Sequence, residues 1–340
     1  MIKIGIIGFG RMGITHYSII NTHPEVNIVA VADTSKVTLG ILKKYIDSVD
    51  VYGDYKELID KSKPDAVIVS TPPSLHYPII RYAFERGINV FCEKPFTANI
   101  REAEELARLF SSAQLINQVG YANRFRDVFQ ETKVHLLDGV IGKVSTYRSE
   151  MLSGTVTKKS TGSNWRDQAE HGGGVIFEMA SHLIDLNNFL FGKPVGATGA
   201  ILERMYSINV DDIVKANIFH ESGLHGSIYV NWCDTSYRKP HISVEAVGSK
   251  GKIIADFYGY KIFLNEKNDV LKLKKGWNVF TLPEVNGSVE FYLRGNEFTR
   301  QLYYFVDCIL NGIYSNESSF EAALFTHSII EKITLNQRSS

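Results

Sequence analysis

Apolar runs alternate with amphipathic stretches over the first third of the chain. The runs are short and rich in β-branched residues, which is the pattern of buried strands. They cover Lys3–Ile7, Asn27–Ala32, Asp65–Ser70, Ile88–Cys92 and Gln114–Val119. Because an amphipathic stretch follows nearly every run, the pattern predicts repeated strand–helix units, a mostly parallel sheet and helices on both of its faces.

Polar capping residues mark where some of the helices begin. The pair Thr34-Ser35 predicts the start of a helix that runs to about Ile46, with Val37, Ile41 and Tyr45 on one face. Further helices are predicted after a cap at Asp54, from about His76 to Glu85, and from Ile100 to Phe110.

The pattern changes after residue 120. Helices, alternating strands and one long polar loop are predicted over Asn123–Asp138 (helix), Lys143–Met151 (strand), Ser153–Gly172 (loop), Gly174–Phe191 (helix), Val195–Leu282 (several strands), Glu297–Leu310 (helix) and Phe320–Ile333 (helix). We therefore predict two domains. Residues 1–120 form a Rossmann-type, doubly wound parallel α/β sheet, and residues 121–340 form an α+β domain with a large, open, mainly antiparallel sheet.

A glycine turn joins the first strand to the first helix. It reads Gly8-Phe9-Gly10-Arg11-Met12-Gly13. Gly8 makes the turn, Gly10 lets the backbone approach a pyrophosphate, and Gly13 lets the helix pack against the strand. The helix start then offers unpaired N–H groups to phosphates. Such a turn alone can be purely structural, but here strand, turn, helix, strand and a following acid match together, which favours dinucleotide binding.

Asp33 is that acid, at the end of the second apolar run. A carboxylate there would hold the adenosine ribose hydroxyls and repel a 2′-phosphate, so it favours NAD over NADP. Lys36, three residues further on, weakens this preference.

Composition excludes several classes of protein. Lys plus Arg and Asp plus Glu are equal at 37 each, and 44% of the residues are hydrophobic. This balance predicts a soluble protein without a nucleic-acid or membrane surface. The first residues already read as a strand, so we expect no signal peptide. Three widely spaced cysteines have no metal-ligand spacing, so we expect no metal and a reducing cytoplasmic location.

The tripeptide Glu93-Lys94-Pro95 follows the strand that ends at Cys92. Strand carboxyl ends line the ligand crevice of an open α/β sheet, so these residues should lie beside a bound nicotinamide. A lysine there can hydrogen-bond a substrate hydroxyl and stabilise charge on its oxygen. A solvated surface lysine remains the alternative.

Three glycines, Gly172 to Gly174, precede a helix that carries Glu178, His182 and Asp185. The spacing of i, i+4 and i+7 predicts that one helical face bears all three side chains. A histidine beside a carboxylate is a competent general base near neutral pH. A purely structural histidine is the alternative, and Asp185 could equally cap or pair locally.

Candidate substrate residues lie in two further segments. Arg124, in Gly120–Phe125 at the predicted domain junction, could bind substrate or tie the domains together. Trp165 and Arg166, in the polar loop, could stack on a sugar and hold an anionic group.

In this order, these motifs resemble the glucose–fructose oxidoreductase / inositol dehydrogenase (Gfo/Idh/MocA) family over nearly the whole chain. The resemblance also includes Thr71-Pro72 with His76, then Val210-Asp211-Asp212 and the turn Gly248–Gly251. It implies NAD(P)-dependent oxidation or reduction of sugars, inositols or nucleotide sugars. It further implies a homodimer or homotetramer formed through the open sheet.

The resemblance assigns roles residue by residue. Lys94 matches the lysine that positions the reacting hydroxyl, and His182 matches the histidine that takes its proton. Pro72 and His76 match residues on the cofactor side of the crevice. Glu178 stands where the family usually has Asp, and the longer side chain places its carboxylate differently.

Two other functions fit the same residues. One is glycoside hydrolysis with NAD recycled within the reaction, and the other is a catalytically silent dinucleotide sensor. Retention of both Lys94 and His182 speaks against the sensor.

Overall fold

The computed structural model describes residues 1–46, 48–159, 168 and 172–336. Within it the chain forms two compact units. Unit 1 comprises Met1–Phe125 and Ser288–Leu324, and unit 2 comprises Arg126–Gly287 and Phe325–Ser340. This differs from the single division expected at residue 120, because a segment near the C-terminus packs within unit 1.

The predicted strands and helices are present in the predicted order, and the strand Asp50–Tyr52 and the short helix Leu282–Val285 are additional. The strands are β1 (Ile2–Ile7), β2 (Val26–Ala32), β3 (Asp50–Tyr52), β4 (Ala66–Val69), β5 (Asn89–Cys92), β6 (Asn117–Val119), β7 (Val144–Leu152), β8 (Pro194–Glu203), β9 (Ile213–His220), β10 (His225–Asn231), β11 (His241–Gly248), β12 (Gly251–Asp256), β13 (Gly259–Leu264) and β14 (Gly276–Thr281). The α-helices are α1 (Arg11–Ile20), α2 (Lys36–Tyr45), α3 (Tyr55–Ser62), α4 (His76–Phe84), α5 (Ile100–Ala113), α6 (Asp127–Leu137), α7 (Ser181–Phe191), α8 (Leu282–Val285), α9 (Asn296–Asn311) and α10 (Phe320–Leu335).

Unit 1 contains a six-stranded parallel sheet in the order β3-β2-β1-β4-β5-β6. The register pairs Ile7 of β1 with Ala32 of β2 and with Val69 of β4. Three strands therefore end side by side, which brings Gly8, Asp33 and the residues after Val69 to one edge of the sheet. The predicted Rossmann sheet is confirmed.

Helix α9 explains why the late segment belongs to unit 1. Its residues Leu302, Phe305 and Val306 are fully buried in one apolar cluster with Ile4 and Ile6 of β1. A helix with this apolar face covers the sheet and removes its side chains from water.

The expected caps on α2 and α3 are confirmed. The Ser35 hydroxyl accepts a hydrogen bond from the Thr38 N–H, and the Asp54 carboxylate accepts one from the Lys56 N–H. The apolar face proposed for α2 is not a core face, however.

On α2, Val37, Ile41 and Tyr45 are 74%, 55% and 71% exposed, and Leu42 is the buried residue. Leu42 packs in the cluster beneath α2, so the helix turns a different side towards the sheet.

Unit 2 contains an eight-stranded sheet in the order β14-β13-β12-β11-β7-β10-β9-β8. All neighbours are antiparallel except β7 and β10, which run parallel. Side chains alternate between buried and exposed along β9, as expected for a sheet with one face covered. The expected large, mainly antiparallel sheet is confirmed. Among the described residues, no helix is long and apolar enough to span a bilayer.

Candidate active site

The glycine turn after β1 has the geometry that its sequence predicts. Gly8 has a φ of +87°, and a Cβ there would lie 2.9 Å from the backbone of Ser70. A Cβ on Gly13 would lie 2.1 Å from the Gly8 carbonyl oxygen. Gly10 by contrast faces open space, with no atom within 4 Å of such a Cβ. Two glycines therefore allow close packing, and the third leaves room for a ligand.

Asp33 holds this turn from the neighbouring strand. Its Oδ2 accepts a hydrogen bond from the Phe9 N–H at 2.6 Å, and its Oδ1 accepts one from the Ser35 N–H at 2.7 Å. An ionised carboxylate has about four acceptor positions, so ribose hydroxyls can still bind. The Phe9 side chain is buried, so only its backbone borders the turn.

Helix α1 starts at the turn without a side-chain cap, with Gly10 as the N-cap residue. Its first N–H groups can therefore receive an anion, and the open space at Gly10 provides the room. These residues fit a dinucleotide pyrophosphate. Arg11 is exposed here, and the guanidinium of Arg294 lies 3.6 Å from the Met12 sulfur.

Thr71, Pro72 and His76 follow the end of β4. Pro72 is exposed, whereas His76 is fully buried. The His76 Nε2 lies 2.9 Å from the Thr71 carbonyl, and its Nδ1 lies 3.0 Å from the Pro95 carbonyl. Burial lowers the pKa of His76, although these carbonyls favour its charged form. His76 thus joins the segments after β4 and β5 and has no exposed ring edge for a ligand.

Glu93 forms a buried pair with a residue of α1. Its Oε1 lies 2.6 Å from Nε2 of His16, whose side chain is fully buried. Burial would raise the pKa of Glu93, but the His16 hydrogen bond and the charges of His16 and Lys94 lower it below its usual value. Gly120 leaves room for the carboxylate, since a Cβ there would lie 3.2 Å from Oε1. Lys94 itself is half-buried.

Arg124 is 4% exposed and lies in a short 3₁₀ turn over Ala122–Phe125. Its guanidinium donates to the carbonyl of Glu317, which also belongs to unit 1. This contact fixes the connection between α9 and α10 rather than presenting a free cation to a substrate.

In unit 2, the helix after the glycines begins with a wide turn. Residues Ile176–Ala180 form a π-helical turn, in which the Ser181 N–H reaches the carbonyl of Ile176. Helix α7 continues directly from it. Single π turns occur frequently at functional sites.

The beginning of this helix presents two polar side chains. Of residues Gly172–Leu190, all of which the structure describes, only Phe177, Glu178 and His182 are not buried. Asp185 is fully buried and accepts a hydrogen bond from the Thr326 hydroxyl at 3.4 Å. Asp185 therefore differs in exposure from Glu178 and His182, because α7 is enclosed by apolar neighbours beyond its first turn. The shared face of the three side chains stays a prediction.

Trp165 and Arg166 lie outside the described residues. Their proposed contacts with substrate remain predictions. Lys158 and Lys159, which precede them, are exposed.

The structure adds contacts that sequence reasoning did not predict. His16 contacts Glu93, Arg294 contacts Met12, and Asp212 receives a set of buried hydrogen bonds near the start of the π turn. His16 stands three residues after Gly13 in the first helix, and this position next to the glycine turn could have drawn attention to it. Arg294 carries none, because it lies 282 residues from its partner.

Two family models match the chain. Residues 2–121 match the Gfo/Idh/MocA model described as "Oxidoreductase family, NAD-binding Rossmann fold", and residues 129–254 match the "GFO/IDH/MocA C-terminal domain". Together they cover most of both units.

Proteins with similar sequences agree with these family matches, since they too are named oxidoreductases or dehydrogenases. An uncharacterised oxidoreductase of Schizosaccharomyces pombe is 32% identical over 59% of this chain, and the match spans only 54% of that relative. The scyllo-inositol 2-dehydrogenase (NAD(+)) of Bacillus subtilis is 25% identical over 92% of this chain and 87% of its own.

Among solved structures, a levoglucosan dehydrogenase in complex with NADH superposes with a TM-score of 0.87. It is 20% identical and covers 98% of this chain and 96% of its own, which shows a shared fold. With both domain models matched in order, the chain belongs to the Gfo/Idh/MocA oxidoreductase family, and its first domain is an NAD-binding Rossmann fold.

Proposed function

We propose that this protein is an NAD-dependent dehydrogenase that oxidises a secondary alcohol on a sugar, inositol or nucleotide sugar, or catalyses the reverse reduction. The observation that carries the proposal is that few side chains reach the surface at the start of the helix in unit 2, and that two of them are an acid and a base. Within Gly172–Leu190, a fully described segment, Glu178 and His182 are the only polar side chains that are not buried. Exposure of an acid and a base together is what proton transfer to a bound substrate requires.

Residues of unit 1 would hold the cofactor. The N–H groups at Gly10, Arg11 and Met12 would bind the pyrophosphate, and Asp33 would accept hydrogen bonds from the ribose hydroxyls. Asp33 would repel a 2′-phosphate, which favours NAD over NADP. His76 and Glu93 support the neighbouring segments, as their buried contacts indicate.

When bound, the nicotinamide ring supplies the acceptor or donor of hydride. Lys94 then donates a hydrogen bond to the reacting hydroxyl and stabilises the negative charge that develops on its oxygen. His182 accepts the hydroxyl proton on a ring nitrogen. Glu178 orients the substrate or the imidazole through its carboxylate. The product is the corresponding ketone.

The names of relatives support a cyclic polyol as substrate. One relative is named for scyllo-inositol, and a protein of the same fold is named for levoglucosan. Arg124 is a weaker candidate for substrate contact, because its guanidinium already binds a main-chain carbonyl. A homodimer or homotetramer in the cytoplasm is part of this proposal.

The test is NAD reduction by the purified protein with inositols, free sugars, levoglucosan and uridine-linked sugars. We expect Lys94→Met and His182→Ala to lower kcat by about 100-fold or more while NADH binding, followed by fluorescence, is retained. Exposed residues provide matched controls, Lys267→Met and His225→Ala, which should retain activity.

Other results would redirect the proposal. Full activity in either site variant would remove that residue from the site. Absence of NAD reduction with every substrate, together with normal NADH binding, would point to glycoside hydrolysis with recycled NAD or to a sensor. Cleavage of a glycoside without net NADH would then separate these two.

A further inference from the structure

A buried carboxylate in unit 2 gathers an unusual number of donors. Asp212 is fully buried in the turn before β9. Its Oδ2 accepts from the N–H groups of Met205, Tyr206 and Ser207 at 2.6, 2.6 and 2.9 Å. Its Oδ1 accepts from the Ser207 hydroxyl at 2.5 Å and from the indole N–H of Trp232 at 2.6 Å. This side chain holds residues 205–207 of the connection between β8 and β9 and ties them to Trp232.

The donors show why the residue must be an aspartate. Consecutive backbone N–H groups that point at one oxygen form a concave anion site. Hydrogen bonds to a charged acceptor are short and roughly twice as strong as neutral ones. An amide side chain has a single acceptor oxygen, and its NH₂ group would face N–H donors. Asparagine could therefore satisfy only part of this set.

The connection held by Asp212 contacts the start of the helix that carries Glu178 and His182. The Asp211 carbonyl accepts the Val175 N–H at 3.1 Å. The Val210 side chain packs against Gly174, where a Cβ would lie 3.1 Å from Cβ of Val210.

The first turn of that helix packs Val175 and Ile176 into the apolar core of unit 2. It lacks a side-chain cap at Val175. Gly172 and Gly174 adopt positive φ values of 76° and 94°. Glycines have no side chain to anchor them and have many accessible backbone states, so an outside contact must select one.

We propose that Asp212 is a positioning residue for the reaction. It orders residues 205–211, which seat Gly174 and Val175, and the seated turn places Glu178 and His182. The inference rests on the proposed function for these two side chains. Displacement of reacting groups by about 1 Å can lower a rate about 100-fold, so a modest shift at the helix start is enough.

The experiment compares Asp212→Asn with Asp211→Asn. The adjacent control residue is partly exposed and pairs with the exposed Arg204 at 3.4 Å, and its backbone carbonyl is unchanged by the substitution. We expect Asp212→Asn to lower kcat by about 10- to 100-fold and to leave the NADH dissociation constant within about twofold. Asp211→Asn should keep kcat within about twofold.

The assay temperature and the pH profile distinguish a purely structural role of Asp212 from a positioning role. Both variants are assayed well below their Tm, where circular dichroism shows them folded. A structural role would lower Tm and leave kcat and its pH profile unchanged in the folded protein. Positioning predicts that the pH profile of kcat/KM shifts, because the surroundings of His182 change. An unchanged kcat and profile in folded Asp212→Asn overturns the proposal.

A second variant covers the case in which Asp212→Asn fails to fold. Val210→Ala leaves the carboxylate and its donors intact and removes the two γ-methyl groups of Val210, which would lie 3.5 and 3.8 Å from a Cβ on Gly174. We expect about a 3- to 10-fold loss of kcat with NADH binding retained. Full activity in this variant contradicts the seating of the helix start.

Hydrogen exchange separates this inference from the proposed function. The amides of residues 174–182 should exchange faster in Asp212→Asn, or in Val210→Ala, than in Asp211→Asn. If exchange is faster in these variants but the wild-type protein has no dehydrogenase activity, the proposed function is refuted and the contact between residues 205–211 and the helix start is supported. Active wild-type protein with unchanged exchange and unchanged kcat in the variants refutes the positioning role alone.

Discussion

Replacing a glycine by alanine should have three different outcomes at Gly13 and Gly10 of the glycine turn and at Gly40 of α2. In Gly13→Ala, the new Cβ would lie 2.1 Å from the Gly8 carbonyl oxygen and 3.0 Å from the Ser70 hydroxyl. Ordinary contact begins at 3.4 Å, so the Gly8 carbonyl must move by roughly 1 Å in a close-packed turn.

The cost follows from the two contacts that change. Overpacking of this kind costs about 1–3 kcal/mol. The displaced carbonyl also loses its hydrogen bond from the Ser70 hydroxyl, now 2.7 Å long, which adds about 1 kcal/mol. We expect unfolding free energy to fall by about 2–4 kcal/mol and Tm by roughly 5–15 °C. NADH affinity should fall at least about tenfold, because the pyrophosphate site is part of the same turn.

Gly10 and Gly40 provide the matched comparisons in the same unit. A Cβ on Gly10 meets no atom within 4 Å, and its φ of −74° suits alanine. Gly10→Ala should therefore keep stability within about 0.5 kcal/mol and lose at least about tenfold in NADH affinity, since the methyl occupies the ligand's space. Gly40, inside α2, also has open surroundings, so Gly40→Ala should raise stability by about 0.5–1 kcal/mol and leave binding unchanged.

The assays are thermal unfolding by calorimetry and NADH titration by fluorescence. If Gly13→Ala is as stable as wild type, the close packing of α1 on the turn is not as described. If Gly10→Ala binds NADH normally, the dinucleotide does not approach this backbone, and the assigned cofactor site is refuted.

Three further predictions concern charged side chains. Asp33→Ala should raise NADPH affinity relative to NADH by about tenfold or more, because the repulsive carboxylate is lost; an unchanged ratio in parallel titrations would leave Asp33 a purely structural residue. Arg294→Gln should weaken NADH binding by about three- to tenfold with a reduced salt dependence, since its guanidinium lies beside Met12; affinity and salt slope equal to wild type would exclude this contact with the phosphates. Burial would raise the pKa of Asp212, but its hydrogen bonds hold that pKa below the ordinary value of 3.8. The ionised carboxylate therefore stabilises the folded protein at pH values above 3.8, and this stabilisation is lost as the pH falls through the lower pKa of the folded state. The stability difference between wild type and Asp212→Asn in urea unfolding should therefore narrow below about pH 4, and a difference that widens there contradicts a charged Asp212.

Local patterns in the sequence were sufficient to predict most of the strands and helices of unit 1. The caps at Ser35 and Asp54 bond residues two or three positions away, and the apolar runs and the glycine turn are recognised from the residues within them. Short-range sterics and hydrogen bonds decide such features, so they can be read from the order of residues. The same reasoning found Lys94, Glu178 and His182 as candidates.

Predictions that needed the surroundings of a helix were less successful. Helical periodicity correctly grouped Val37, Ile41 and Tyr45, but it could not tell that this side of α2 is exposed. It also grouped Asp185 with Glu178 and His182, but it could not tell that Asp185 is buried whereas the other two are partly exposed. Periodicity describes which side chains share a face, whereas burial depends on what packs against that face.

By itself, the sequence determined the order of strands and helices, the parallel and antiparallel character of the two sheets, and the family. Only the tertiary structure decided that α9 covers the sheet of unit 1, that His16 pairs with Glu93, and that Asp212 organises the segment beside the π turn. The physical reason is distance along the chain. Local geometry acts between close neighbours, but buried polar groups take partners wherever folding places a donor or acceptor, because an unsatisfied group in the interior is costly.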